Sequence, residues 1–197
     1  IFFLLNSFMG VPFTELTKKE TPGEQTLYNN LKSRLDDDFL FWHNEVIPGN
    51  NREVDFIVLN PYHGLWVIEV KDWTIDKIKS VDGSRLKLYD KFYASKKVQN
   101  PIAQARDTFI YLKEKLSKDE ILRQRGGDHH GNLIFPINYA VAFPNISNDD
   151  LVKSNYSEVF TDRTTITKDL IESQIDNSEW QDRFISKRTV VFVVNKG

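Results

Sequence analysis

Two carboxylates and a lysine stand at a spacing that suits a hard divalent cation beside a phosphate. Asp55 lies in the apolar run Glu53 to Leu59, and Glu69-Val70-Lys71 closes the run Leu65 to Lys71. Between the runs, Asn60-Pro61-Tyr62-His63-Gly64 has strong turn chemistry. An antiparallel pair folded about Tyr62 opposes residues whose numbers sum to 124, which sets Asp55 opposite Glu69. Directly opposed side chains share a face, with Cβ atoms about 4.5–5.5 Å apart. Alternation puts Lys71 on the face of Glu69. Two such carboxylates repel and lose hydration, a cost that a divalent cation would relieve. Mg²⁺ takes carboxylate oxygens together with waters and phosphates.

The same register also places Glu53 opposite Lys71, so an ordinary cross-strand ion pair explains the lysine equally well. A slip of one residue would send Asp55 and Glu69 to opposite faces. The second face, with Val54, Phe56 and Val58 against Trp66, Ile68 and Val70, is wholly apolar. Ile57, Leu59, Leu65 and Val67 share the face of the carboxylates, so the sheet is expected to be buried on both sides.

The elements that must position these residues are legible around them. Thr21-Pro22-Gly23-Glu24 opens a helix, with Thr21 as cap, proline at the first position and Glu24 closing a capping box. Leu27, Tyr28, Leu31 and Leu35 then fall at helical spacing. Phe39 to Ile47 reads as a strand, and Ile75 to Val81 with Leu86 to Tyr89 as a hairpin about Asp82-Gly83-Ser84. Asn100-Pro101 starts a second helix whose apolar line is Ile102, Ala105, Phe109, Leu112 and Leu116. Gln124 to Asn132 is a loop, Asn138 to Phe143 a buried strand, Trp180 to Ile185 a helix candidate and Arg188 to Val194 an apolar strand. This order predicts an α/β fold with a mixed central β-sheet flanked by helices.

The 197 residues carry a formal net charge of −2, with 40% hydrophobic and 27% charged residues, as in a folded globular chain. There are no cysteines, which excludes disulfides and thiolate metal sites and suits a reducing compartment, so a cytoplasmic location is expected. The opening run Ile1 to Leu5 is broken by Asn6, Ser7 and Gly10. It falls far short of the ~20 apolar residues that span a bilayer, and no signal peptide or membrane partner is expected. Charge is unevenly spread. Residues 71–97 hold eight Lys or Arg against four Asp, while residues 145–186 hold nine Asp or Glu against four Lys or Arg. In the basic stretch Trp73, Tyr89, Phe92 and Tyr93 interleave with cations, a combination used by single-strand binders, though strand aromatics commonly pack. Trp73, Lys77, Lys79, Lys96 and Lys97 are the candidate nucleic-acid contacts. His129-His130 sits in a Gly-rich loop with only Asp128 nearby, a poor metal site, and His43 and His63 read as ordinary strand and turn residues. No Gly-Lys-Ser/Thr phosphate loop is present.

Asp55 followed by Glu69-Val70-Lys71 resembles the Asp…Glu-x-Lys signature of the PD-(D/E)XK nuclease superfamily. More narrowly, Gly23-Glu24, Glu53-Val54-Asp55-Phe56, Gly64 through Trp73, and Asn100-Pro101 with Gln104 resemble the nuclease-related domain called NERD. The resemblance runs from about Gly23 to Leu116. It implies a restriction-endonuclease-like core and a metal-dependent deoxyribonuclease. Asp55 and Glu69 would ligate Mg²⁺ or Mn²⁺ with the Val70 carbonyl, and Lys71 would act on the attacking water and the phosphate. Glu24 would reach the same centre, its other reading being the capping box. Gln104 would lie nearby, its other reading being an ordinary solvent-facing glutamine. DNA is the implied partner, with a helicase or other module possible in a larger protein. The competing readings are a non-catalytic nucleic-acid-binding module and an interaction domain whose charged strand ends are ion pairs. The expected organisation is an extension over 1–20, a nuclease-like core over 21–144, and an acidic segment over 145–197 that completes or decorates the same domain.

Overall fold

A computed structural model describes residues 11–16, 19–47, 49, 52–82, 85–89 and 94–185. In chain order the elements are β1 (Val11–Pro12), α1 (Pro22–Arg34), β2 (Leu40–Ile47), β3 (Arg52–Asn60), β4 (Gly64–Val70), β5 (Ile78–Asp82), β6 (Arg85–Tyr89), β7 (Ser95–Gln99), α2 (Pro101–Leu116), β8 (Ile137–Phe143), α3 (Asn148–Lys153), β9 (Thr165–Thr167), α4 (Lys168–Ile171) and α5 (Asn177–Ile185). The main sheet has the order β1-β2-β3-β4-β8-β9, and β5-β6-β7 form a second sheet. In the main sheet β1 pairs parallel with β2, β2–β3 and β3–β4 pair antiparallel, and β4–β8 and β8–β9 pair parallel.

The sheet is covered on both faces, as the two-sided apolar pattern required. On one face Leu27, Tyr28, Leu31 and Leu35 of the first helical segment pack against Phe56, Val58, Trp66, Ile68 and Val70. The acidic C-terminal stretch joins that same core through Ile166, Ile171, Trp180, Phe184 and Ile185. On the other face Leu112, with half-buried Phe109 and Leu116, covers Leu65 and Val67. Every residue of β4 is buried, which is why it shows no alternation in its sequence.

The β3–β4 turn sets the register on which the site depends. Asn60 Oδ1 accepts the backbone N–H groups of Tyr62 (2.8 Å) and His63 (3.1 Å), an Asx turn. Gly64 completes it at φ +80°, where a Cβ would stand 2.0 Å from the Pro136 carbonyl oxygen. Both the backbone conformation and the space exclude a side chain there. Gly64→Ala should therefore cost about 3 kcal/mol in urea unfolding, with the loss concentrated where β4 meets the start of β8. The resulting pairs, Phe56 with Ile68, Val58 with Trp66 and Asn60 with Gly64, follow the predicted sum.

Three local expectations are corrected. Ile75–Lys77 is a 3-10 turn, and the hairpin strand starts at Ile78. Val54 packs with Ile47, Val67 and Leu112 instead of sharing the face of Phe56. Alternation fails at this point because Asn44 adopts φ 53°, and the β2–β3 ladder skips the step from His43–Phe56 to Glu45–Val54. Lys71 makes no ion pair with Glu53 among the described residues, because its ammonium turns along its own strand to Glu69. The predicted strand Arg188 to Val194, the Gly83-Ser84 turn, and Phe92 and Tyr93 lie outside the described residues. None of the described helices is long and apolar enough to cross a membrane.

Candidate active site

The site forms where two strands part. The β3–β4 ladder ends at Phe56–Ile68, one step short of Asp55 and Glu69, while β4 continues beside β8 through Glu69–Val141 and Val70–Ala142. Lys71 N–H then donates to the Ala142 carbonyl at 3.0 Å. In a ladder of this kind neighbouring residues turn their N–H and C=O groups to opposite sides. Val70 thus turns its own toward β3, and its N–H donates to Asp55 Oδ2 at 2.6 Å. An aspartate side chain replaces the missing ladder bond and latches the fork.

Glu69 is only 4% exposed, and Asp55 is half-buried. Glu69 Oε1 accepts from Lys71 Nζ and, at 2.5 Å, from Gln104 Nε2 on α2. The solvent-facing alternative for Gln104 is thereby set aside: it sits off the helix's apolar line because it points at Glu69. Each carboxylate has one oxygen fixed by the protein, while Asp55 Oδ1 and Glu69 Oε2 accept no hydrogen bond from the described residues. Burial, then the charge of Glu69, raises Asp55 to about 7, against the pull of the Val70 N–H and Lys71. Burial likewise raises Glu69, opposed chiefly by Lys71.

Glu24 occupies the capping box. Its Oε2 accepts the Thr21 N–H at 3.0 Å, and its own N–H donates to Thr21 Oγ1 at 3.3 Å. It also adds to the repulsion felt by Asp55 and Glu69, so the two readings coexist as cap and as negative charge toward the site. Among the described residues no three His, Asp or Glu side chains converge to hold a metal ion. The donor set that fits a small hard cation is therefore Asp55, Glu69 and the Val70 carbonyl, with Glu24 outside it. All three are oxygen donors, and two belong to carboxylates held above their ordinary protonation range, a condition that a cation would relieve.

Asp72 is a site-building residue that the sequence reading passed over. Its Oδ2 accepts the Gly23 N–H at 3.0 Å and its Oδ1 the Asn145 amide at 3.1 Å. It thereby ties the start of α1, and with it Glu24, to the strand end bearing Glu69 and Lys71. A glycine inside the first turn of a helix, where it is a poor helix former, was the available signal. A Cβ on Gly23 would stand 2.3 Å from Asp72 Oδ1 and 3.1 Å from Pro144 Cγ. Gly23→Ala is expected to break this tie, costing about 1–2 kcal/mol in urea unfolding and displacing Glu24 from the site.

His43 is buried against Tyr28 and Phe56, its Nδ1 3.8 Å from Glu20 Oε1, and burial lowers its pKa. His129 and His130 are exposed in the loop between α2 and β8, at the start of β8, and β8 runs parallel to β4. That is the end of the sheet opposite Glu69. Trp73 is half-buried, packing toward Phe143 with 6.3 Å between ring centroids, whereas Lys77, Lys79, Lys96 and Lys97 are exposed.

A mixed sheet that forks to bring an Asp and a Glu-x-Lys strand end together beneath an N-terminal helix is the core of the PD-(D/E)XK superfamily. Within that class, the family model described as nuclease-related domain, NERD, matches residues 19–144, and the chain belongs to this family. The match covers more than half of the 197 residues. No curated protein and no solved structure gives a match.

Proposed function

We propose that this domain is a metal-dependent nuclease that hydrolyses phosphodiester bonds in DNA at the fork between β3 and β4. The observation that carries the proposal is the division of labour on the two carboxylates. One oxygen of each is held by Val70, Lys71 or Gln104, and the other is left without a hydrogen bond from the described residues. Ion pairing alone does not require that second oxygen.

In this reading Asp55, Glu69 and the Val70 carbonyl would hold Mg²⁺ or Mn²⁺. The chemistry supplied by such an ion is polarisation of a phosphoryl oxygen and acidification of water. The chain's own residues do the rest. Gln104 and Lys71 fix the rotamer of Glu69, and Val70 fixes that of Asp55, so little reorganisation remains when substrate arrives. The Lys71 ammonium lies within the same cluster, where it can offset negative charge developing on the phosphate. Water oxygen bonds to phosphorus and gives up one proton, the ester P–O bond breaks, and the leaving oxygen takes up a proton in its place. Glu69 is almost fully buried and Asp55 half-buried, which strengthens each of these charge interactions.

The test is cleavage of labelled single- and double-stranded DNA in Mg²⁺, Mn²⁺ or EDTA. Cutting that needs the cation is the expected result. A folded wild-type chain that cuts neither substrate with either cation defeats the proposal.

A further inference from the structure

The β5-β6-β7 sheet buries one face and leaves the other to solvent. Its inner face sends Ile78 and Leu86, with half-buried Val81, Leu88 and Val98, against Phe143, Ile146 and Phe160. Pairing places Lys87 directly opposite Lys97 on the outer face, with Arg85 opposite Gln99 one step along and Tyr89 opposite Ser95 on the other side. Successive rows along the strands stand about 7 Å apart. Lys79, at the irregularity in β5, reaches over the Tyr89 ring at 5.2 Å and so belongs to the same face. Among the described residues two acids adjoin this face: Asp82 stands opposite Arg85, and Asp107 accepts from Gln99 Nε2 at 2.9 Å.

Directly opposed like charges destabilise a strand pair. Among the described residues Arg85, Lys87 and Lys97 make no ion pair, and the strand pairing sets Asp82 against Arg85 but no acid against Lys87 and Lys97. Lysine on an edge strand can serve to prevent strand addition. That explanation covers Lys97 but not Lys87, which lies on the central strand of the three. A polyanion laid across the rows would offset the repulsion, and an exposed tyrosine among cations suits a nucleic-acid strand. The sheet also has the right place in the chain. It leaves the strand end of Glu69 and Lys71 through Thr74, and returns through Asn100 to the helix that carries Gln104.

We infer that the outer face of this sheet, centred on Arg85, Lys87 and Lys97, binds the phosphodiester backbone of the nucleic acid that the fork cuts. This site rests on the nuclease reading for its purpose, but its binding is measurable without cleavage. It replaces half-buried Trp73 as a contact and moves the centre of binding from Lys77 and Lys96 to the Lys87–Lys97 pair.

The experiment is fluorescence anisotropy of a labelled single strand of about 20 nucleotides, and of its duplex, in EDTA. It compares the full chain with Lys87→Gln/Lys97→Gln and with the charge-matched control Lys113→Gln/Lys118→Gln, two exposed lysines at the far end of α2 that should leave binding close to wild type. The double variant should bind about tenfold more weakly, with a salt slope smaller by about 1.4 for the single strand. Its melting temperature should be unchanged or higher, since the opposed charges are gone. Wild-type affinity in the double variant overturns the inference, as does a wild-type chain that binds neither oligonucleotide. Binding of polyglutamate in place of both oligonucleotides also overturns it, in favour of an acidic protein partner. Oligonucleotide binding that the double variant loses, in a chain that cuts nothing, supports the sheet site and refutes only the nuclease reading.

Discussion

Glu69→Gln is expected to abolish Mg²⁺- or Mn²⁺-dependent cleavage, lowering the rate by about 10³-fold or more, without loss of the fold. Glutamine retains the volume and an acceptor oxygen, so it can still meet Gln104. It loses the charge that pairs with Lys71 and would bind the cation. Because Glu69 is almost fully buried and its pKa is raised, neutralising it also removes a destabilising charge. Asp55→Asn is the companion variant, with an oxygen still available to the Val70 N–H. Its activity should fall to a similar extent, because each carboxylate supplies one free oxygen to the same centre. Cleavage in Mg²⁺ and Mn²⁺, with circular dichroism to establish folding, measures both. Full activity in either variant would remove the site from consideration.

Metal-free stability should fall as pH rises, and the cation should restore it. Asp55 is raised to about 7 in the folded chain, against an unfolded value of about 3.9. The folded state therefore holds the extra proton between these values, and stability decreases as pH rises through that window. At 1.36 kcal/mol per unit the loss is up to about 4 kcal/mol, with Glu69 adding in the same direction. Denaturant unfolding in EDTA from pH about 4 to about 8 should show the decline, and Asp55→Asn should flatten it. Mg²⁺ binds the ionised form, so it should raise the wild-type melting temperature more at the alkaline end than at the acid end. A metal-free curve that is flat or rises over this interval contradicts the burial assigned to Asp55.

Much of the site was legible because its geometry comes from short-range rules. The turn from Asn60 to Gly64 leaves little freedom of register, and the sum of 124 holds from Asn60–Gly64 to Phe56–Ile68. The ladder stops one step short of the expected Asp55–Glu69 pair, where Asp55 turns to the Val70 N–H. Capping chemistry located both helix starts, including Glu24 and, through Asn100-Pro101, Gln104. What escaped was set by tertiary placement. The strand Ser95–Gln99 carries only one apolar residue, Val98, because it lies at an edge with one face to water. Thr165–Thr167 is three residues long and owes its existence to the neighbouring β8. The left-handed Asn44, which breaks the face assignment of Val54, has no local signal strong enough to predict it. Asp72 looked like one more surface charge until the start of α1 was brought to it.

The second sheet enters the chain after Thr74 and leaves it before Asn100, between one strand end and one helix start of the core. No main-sheet strand lies between those two points of the chain, so the sheet is an excursion from the strand end of Glu69 to the helix of Gln104. On the proposed reading, an exchange of residues between those two points would alter the nucleic-acid contact while leaving the fork, its latch and its carboxylates in place. On that reading grip and cut are separable parts of one chain, and a homologous excursion could be transplanted to change the substrate without redesigning the chemistry.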